Sequence, residues 1–307
     1  MSIALIIPDR KLDTVVAALQ QQLPDVVIEV WPHIRQPGAV EFAVVWKQPA
    51  GAVASLPNLQ ALQSFGAGVD SILSDATLPA LLPLARIVDP HLTASMLQYL
   101  DTVLNYYRLR FDEFSNNQQQ QLWKPRSPRK IQQICVLGLG ELGAAAAQHF
   151  AALGYQVSGW SGSQRQINGV VCFAGPDQFI AAVADADMLI CLLPLTPATE
   201  NLLNEPRLAQ LKSGAILVNV ARGAIVDDEA LLKALHSGQI AAACLDVFRT
   251  EPLPTDHPFW RTSGVLLTPH ISAVTNADTA VAQIAENYRR VQAGLPMVNQ
   301  VDRTRGY

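Results

Sequence analysis

The sequence predicts an α/β fold of two doubly wound parallel-sheet units, and three observations carry that prediction. Short β-branched runs alternate with helical stretches, the pattern of βαβ units and a parallel sheet. The alternation pauses once, at a long stretch without Gly or Pro, and restarts from Lys130. The 307 residues amount to two domains at roughly 150 each, enough to bury a core without disulfides.

In the first unit, strands are expected at Ile3–Pro8, Val26–Val30 and Phe42–Val45, with the helical pattern Leu12–Leu23 after the first. The alternation continues through Leu62–Phe65 and the turn Gly66-Ala67-Gly68 to Arg86–Asp89. Thr93–Phe114 carries Met96, Leu97, Leu100, Val103, Leu104 and Tyr107 at helical spacing, which predicts one linking helix. The polar tract Asn116–Gln121 reads as a solvated helix end or arm. The second unit is expected to hold strands at Ile134–Leu137, Val157–Trp160, Met188–Leu193, Ile216–Val220, Ala242–Asp246 and Val265–Leu267. A final helix, Ala277–Ala293, is expected to return to the first unit.

Composition narrows the function classes. Hydrophobic residues make up 50% of the chain and charged residues 16%, so burial can offset chain entropy over most of its length. The net charge of −4 supplies no basic field for a polyanion, so no nucleic-acid partner is expected. The four cysteines, Cys135, Cys172, Cys191 and Cys244, form no C-x-x-C pair and three lie in apolar runs, which fits a reducing, cytoplasmic compartment. The opening MSIALIIPDR lacks a basic n-region and reads as a strand rather than a signal. The apolar run Met188–Leu195 falls far short of the ~20 residues that span a bilayer, so no membrane segment is expected. His91, His236 and His257 have no metal-ligand spacing, and no metal is expected.

Gly138-Leu139-Gly140-Glu141-Leu142-Gly143 directly follows an apolar strand and opens a helix, the context that a dinucleotide fingerprint requires. Gly138 serves the tight turn, Gly140 the close approach of a pyrophosphate, and Gly143 the packing of helix on strand, while the helix start offers N–H groups to phosphate. At the end of the next strand an NAD-specific unit places Asp or Glu, whereas this chain reads Trp160-Ser161-Gly162-Ser163-Gln164-Arg165. The hydroxyls of Ser161 and Ser163 and the guanidinium of Arg165 suit a 2′-phosphate, so NADPH is the expected cofactor, with NADH as the alternative. The simpler reading is an Arg165 that points into solvent.

Three further strand ends carry polar chemistry: Asn219-Val220-Ala221-Arg222-Gly223, Asp246 to Pro254 with Glu251, and Thr268-Pro269-His270-Ile271-Ser272. Together an Arg, a Glu and a His can bind a carboxylate, tune a base and move a proton. Taken singly, each is read more simply: Arg222 as a surface ion-pair partner, Glu251 as a loop acid, His270 as a helix cap.

The order of these motifs, with LLPLTPAT (Leu192–Thr199) between the fingerprint and NVARG, and LDVFRTEPLP before TPHIS, resembles the D-isomer-specific 2-hydroxyacid dehydrogenase family over most of the chain. The missing acid at Ser161, the segment FGAGVDSIL (Phe65–Leu73) and the terminal VDRTRGY (Val301–Tyr307) look most like that family's glyoxylate and hydroxypyruvate reductases. The resemblance implies a Rossmann-type dinucleotide-binding domain (98–274) inserted into a flavodoxin-like substrate domain (1–97 plus 275–307). It implies that His270 is the general acid, that Glu251 pairs with it, and that Arg222 grips the carboxylate of a small 2-oxo acid. Backbone N–H groups of Ala67, Gly68 and Val69 would complete the carboxylate site. Cofactor contacts would come from Gly138, Gly140, Glu141, Leu142 and Gly143, from Leu193, Pro194 and Thr199, and from Val220 and Ala221, with Asp246 near the carboxamide. A homodimer formed through the linking helix and the Phe111–Trp123 arm is also implied.

Trp46 follows the third strand and could wall the substrate pocket, with Lys47 adding a charge that favours a second anionic group; a core Trp beside a solvated Lys is the simpler reading. Asp89-Pro90-His91-Leu92-Thr93 replaces a usual Gly-rich approach, and Gln98 stands where an acid is common, so substrate preference is open. The alternatives are a reductase of bulkier 2-oxo acids, of phenylpyruvate or D-lactate type, and a dinucleotide-sensing binding protein of the same fold.

Overall fold

The computed structural model describes residues 2–8 and 10–307. They form two compact units, one running up to Leu92 and resuming at Thr275–Tyr307, the other Thr93–Val274.

The first unit begins with β1 (Ser2–Ile6), α1 (Asp13–Gln22), β2 (Val27–Val30), β3 (Val40–Val45), β4 (Ala61–Ser64), the short α2 (Asp70–Leu73) and β5 (Leu84–Ala85). Its sheet is parallel in the order β2-β1-β3-β4-β5. β1 and β4 are buried at every position, as strands covered on both faces must be; β1 reads as a near-continuous apolar run, whereas β4, Ala61-Leu62-Gln63-Ser64, buries two polar side chains. The chain leaves β1 for β2 on one side and returns to β3 on the other, which makes the β1/β3 pair the switch point of the sheet. The last strand, Leu84–Ala85, precedes Arg86–Asp89, where the alternation was expected to end. Residues 86–89 form no further strand, although Ile87 N–H still donates to Gly66 O at 2.9 Å, and the tail pairs along β5: Arg86 N–H donates to Asn299 O at 3.1 Å and Val301 N–H to Leu84 O at 2.7 Å.

The linking helix is not continuous over Thr93–Phe114. Helix α3 (Pro90–Arg108) stops, Arg110 takes a left-handed φ of 62°, and α4 (Phe111–Gln119) starts in a new direction. Arg129 supplies the cause, since its side chain donates to Tyr107 O at 2.6 Å and its N–H to Arg108 O at 2.8 Å, capping the last carbonyls of α3. The second unit then runs through β6 (Gln133–Leu137), α5 (Glu141–Ala152), β7 (Gln156–Ser161), β8 (Val170–Ala174), α6 (Phe179–Val183), β9 (Met188–Cys191), α7 (Glu205–Leu208), β10 (Ala215–Asn219), α8 (Asp228–Ser237), β11 (Ile240–Leu245) and β12 (Val265–Leu267). These strands form one parallel sheet in the order β12-β11-β10-β9-β6-β7-β8. β8 was not expected from the sequence, although its Val170-Val171-Cys172-Phe173 run follows Gly169 as an edge strand would. Alternate residues of β6 feed two cores, Cys135 and Leu137 one, Ile134 and Val136 the other, so helices cover both faces.

Helix α9 (Ala277–Gln292) belongs to the first unit. Its Tyr288 meets Phe42 of β3 edge-on at 5.9 Å, and its buried Asn287 donates to Gln63 of β4 at 2.7 Å.

Candidate active site

The glycine turn is built as a cradle. Gly138 has φ 96°, and a Cβ there would lie 2.6 Å from Leu192 O. A Cβ on Gly143 would stand 1.7 Å from Gly138 O, so α5 can rest on its strand only with glycine at that position. At exposed Gly140 the opposite holds: no described atom lies within 4 Å of a built Cβ, and no described side chain caps α5. The N–H groups of its first turn, around Glu141, Leu142 and Gly143, thus face open space where an anion can approach. The residues fit a dinucleotide pyrophosphate.

At the end of β7 the buried Ser161 hydroxyl donates to Ser163 O at 2.7 Å and closes the turn. Ser163 and Arg165 stay exposed, and no carboxylate occurs in 161–166. After β9, Leu193 is buried, and the Thr199 hydroxyl donates to Pro194 O at 2.6 Å while accepting from Thr196 N–H at 2.8 Å. Thr199 therefore shapes the 194–199 loop through its own backbone.

Asn219 organises the end of β10. It is 1% exposed, accepts from Ala221 N–H at 3.1 Å and donates to Arg222 O at 2.9 Å, fixing the turn Val220-Ala221-Arg222. The half-buried Arg222 donates to Ala221 O at 2.7 Å. A Cβ on Gly223 would meet the Phe248 carbonyl carbon at 2.0 Å, so this turn packs directly on the loop that carries Glu251.

That loop and the 268–272 loop meet through two carboxylates. His270 Nδ1 lies 2.9 Å from Glu251 Oε2, and Glu251 Oε1 also accepts from Phe248 N–H at 3.2 Å. A carboxylate only accepts, so Nδ1 carries the shared proton and Nε2 is the atom left to exchange one. Fully buried Asp246 accepts from the Thr268 hydroxyl at 2.6 Å and from the N–H groups of Ile271 and Ser272 at 2.8 and 2.9 Å. His270 N–H donates to Asp246 O at 2.8 Å, and His270 is held at φ 56°. Asp246 thus anchors the histidine loop from both sides.

Its hydrogen bonds extend to α3. Tyr99 O–H lies 2.6 Å from Thr268 Oγ1 and 3.2 Å from Cys244 Sγ. Because Thr268 gives its one proton to Asp246, Tyr99 must donate to Thr268, and Cys244 to Tyr99. Burial raises the Tyr99 phenol above its ordinary range and pushes the Cys244 thiol up to about 12, so both protons stay in place at neutral pH. Neither Tyr99 nor Asn219 was singled out from the sequence; both act through buried hydrogen bonds that no motif spacing reveals.

In the first unit, buried Ser64 shapes the turn after β4 by donating to Gly68 O at 2.8 Å and accepting from Gly66 N–H at 3.2 Å. Ala67 and Gly68 are half-buried and Val69 leads into α2. Trp46 lies on this turn, its ring 2.4 Å from where a Cβ on Gly66 would be. Lys47 is exposed, left-handed at φ 46°, and engaged with a partner.

Among the described residues no group of three or more His, Cys, Asp or Glu is placed to hold a metal, and no helix is long and apolar enough to cross a membrane.

A doubly wound unit with an uncapped glycine cradle and a paired histidine at its strand ends defines a dinucleotide-dependent oxidoreductase. Residues 101–272 match the model of the D-isomer specific 2-hydroxyacid dehydrogenase NAD-binding domain. The chain is 44% identical over 302 residues, 95% of each chain, to glyoxylate/hydroxypyruvate reductase A of Serratia proteamaculans. It superposes with a TM-score of 0.94 and 39% identity, over 100% of this chain and 99% of the other, on the D-isomer specific 2-hydroxyacid dehydrogenase of Xanthobacter autotrophicus Py2 in complex with NADPH and MES. A TM-score of 0.92 at 29% identity, over 100% of this chain and 99% of the other, relates it to an NADPH-dependent glyoxylate/hydroxypyruvate reductase of Sinorhizobium meliloti in complex with NADP and sulfate. The chain belongs to the D-isomer specific 2-hydroxyacid dehydrogenase family and is an NAD(P)-dependent enzyme.

Proposed function

We propose that this enzyme reduces small 2-oxo acids, glyoxylate and hydroxypyruvate, to 2-hydroxy acids with NADPH. The observation that carries this reading is the His270–Glu251 pair, 2.9 Å apart, on a loop locked by a buried carboxylate. Bound in the glycine cradle, the cofactor supplies the hydride. His270 Nε2 gives the proton to the substrate carbonyl oxygen and takes it back in the reverse direction. Glu251 tunes His270 by fixing the orientation and tautomer of the ring through Nδ1. Arg222, a planar donor fork at the end of β10, binds the substrate carboxylate. In the first unit, the N–H groups of Ala67, Gly68 and Val69, on a turn shaped by Ser64, offer donors to a carboxylate, with Trp46 as an apolar wall.

The preference for NADPH is supported by the exposed Ser163 and Arg165 and by the cofactors of the Xanthobacter and Sinorhizobium proteins. Arg165→Ala is expected to raise the KM for NADPH about tenfold while leaving NADH nearly alone, because it removes a charged contact to the 2′-phosphate. Equal effects on both cofactors, measured by initial rates, would leave Arg165 a surface residue. Four free cysteines support a reducing, cytoplasmic setting. Exposed Phe111, Leu122 and Trp123 support a homodimer through α3 and the arm that follows it.

The deciding experiment follows NADPH and NADH absorbance with glyoxylate, hydroxypyruvate, pyruvate and phenylpyruvate. Fast NADPH oxidation with glyoxylate and hydroxypyruvate is expected. Turnover with phenylpyruvate alone would replace the substrate class, and tight cofactor binding without turnover would favour a dinucleotide sensor.

A further inference from the structure

The first unit carries a cation that the reaction above does not use. Arg10 follows β1, Trp46 follows β3 and Phe65 follows β4, so all three stand at the carboxyl ends of the parallel strands. The β1/β3 pair is the switch point of this sheet, and open α/β sheets bind ligands in the crevice that such a point leaves at the strands' carboxyl ends. The guanidinium carbon of Arg10 lies 5.9 Å from the Trp46 ring centroid and 5.6 Å from that of Phe65. Two aromatic faces orient a guanidinium and strip part of its water without neutralising it. Arg10 is exposed as a whole, and among the described residues no carboxylate, carbonyl or hydroxyl accepts a hydrogen bond from it; the desolvation that its guanidinium does undergo lowers its pKa. The Trp46 ring in turn rests on Gly66, which opens the 67–69 turn.

We propose that Arg10 forms a second anion subsite, which takes a distal carboxylate or phosphate of the 2-oxo acid and extends the substrate class to 2-oxo diacids and phosphorylated 2-oxo acids. The proposal rests on the reductase reading for the first anion, bound at the 67–69 turn. The far end of the substrate then follows the Trp46 ring towards Arg10, whose planar donors suit either oxyanion. Lys47, the other cation at this strand end, is exposed and already engaged.

The test compares substrates in matched pairs with NADPH: oxaloacetate against 2-oxobutyrate for a carboxylate, and phosphohydroxypyruvate against hydroxypyruvate for a phosphate. The readout is the ratio of kcat/KM for the anionic and neutral members. In the native protein at least one ratio is expected to exceed one and to fall as salt is added. Arg10→Met should lower that ratio at least tenfold, and Arg10→Lys, which keeps the charge, should restore most of it. The pair that responds identifies the anion. A ratio that is the same in the native protein and in Arg10→Met overturns the subsite.

Succinate, which cannot be reduced, provides a readout independent of turnover. It should raise the Tm of the NADPH-bound native protein more than that of Arg10→Met. If glyoxylate is reduced and neither the ratios nor the succinate shift depends on Arg10, the reductase reading stands and the subsite falls. If no 2-oxo acid is reduced but succinate still separates the two proteins, the subsite stands as an anion site and the reductase reading falls.

Discussion

His270 adopts φ 56°, a conformation that a non-glycine side chain holds only where its surroundings over-determine it. Here they do, because Asp246 takes the N–H groups of Ile271 and Ser272 and the Thr268 hydroxyl, and its own carbonyl takes His270 N–H. His270→Asn keeps the approximate volume and removes the proposed proton donor, so kcat should fall roughly 10²- to 10⁴-fold with little change in NADPH affinity. An unchanged kcat would remove His270 from that role. Thr268 and Tyr99 touch neither reacting atom and act as positioning residues. Thr268→Val deletes a hydrogen bond to a charged group, worth about 1.5–3 kcal/mol, and should lower kcat while KM for NADPH moves little. Thr268→Ser should restore kcat, and Tyr99→Phe should show a weaker form of the same split. A purely structural role predicts instead that Tm falls while kcat of the folded enzyme is kept. His270, Glu251 and Arg222 could be singled out in the sequence because each follows a strand within a recognisable segment. Asn219, Ser64 and Tyr99 were not, because their importance lies in which buried groups they satisfy.

At the scale of elements, the sequence reads best where one local rule decides. The fingerprint glycines are such a case, since strand, turn and helix follow from spacing and each glycine has a steric reason in the fold. Gly143→Ala would place a methyl group 1.7 Å from Gly138 O, a contact relieved only by lifting α5 from β6. The expected result is a loss of about 1–3 kcal/mol in stability together with a weaker affinity for NADPH, measured by denaturant unfolding and cofactor titration. Unchanged cofactor affinity would mean that the position of α5 does not set the cradle. The linking helix reads worst, because periodicity continues through Leu109 and Arg110 while the break is imposed by Arg129, nineteen residues further along the chain in the case of Arg110. Arg129 pairs with Asp112 at 2.7 Å and with Glu113 at 2.8 Å, so one distant side chain both ends α3 and fastens α4. β8 is a different case: Val170–Ala174 is as apolar as an inner strand, yet it is a half-exposed edge strand, and its place in the sheet shows only in its pairing with β7.

At the scale of the whole molecule, hydrophobic pattern alone assigns most of both cores, because inner parallel strands are buried on both faces and leave little ambiguity. The acid limit of stability depends instead on a few polar ties between strands, and Asp187 is the clearest. Sited just before β9, it accepts from Lys212 Nζ at 2.6 Å and from the N–H groups of Gln132 and Gln133 at 2.8 and 3.0 Å, which joins it to the start of β6. Burial raises its pKa, but the Lys212 hydrogen bond and the two backbone donors outweigh burial and hold the carboxyl below its ordinary value. The unfolded chain, with Asp near 3.9, therefore binds this proton more tightly than the native protein does. The stabilisation is full above the unfolded value and is lost as pH falls through the lower, folded one. Asp187→Asn keeps an acceptor but removes the charge, so it should cost roughly 1–2 kcal/mol at pH 7. It should also flatten the decline of Tm between about pH 4 and pH 2 relative to the native protein. Parallel acid limbs in the two proteins would show that Asp187 contributes no pH-dependent term, and would shift attention to Asp75, whose carboxyl is likewise lowered, chiefly by its hydrogen bond from the Thr77 hydroxyl.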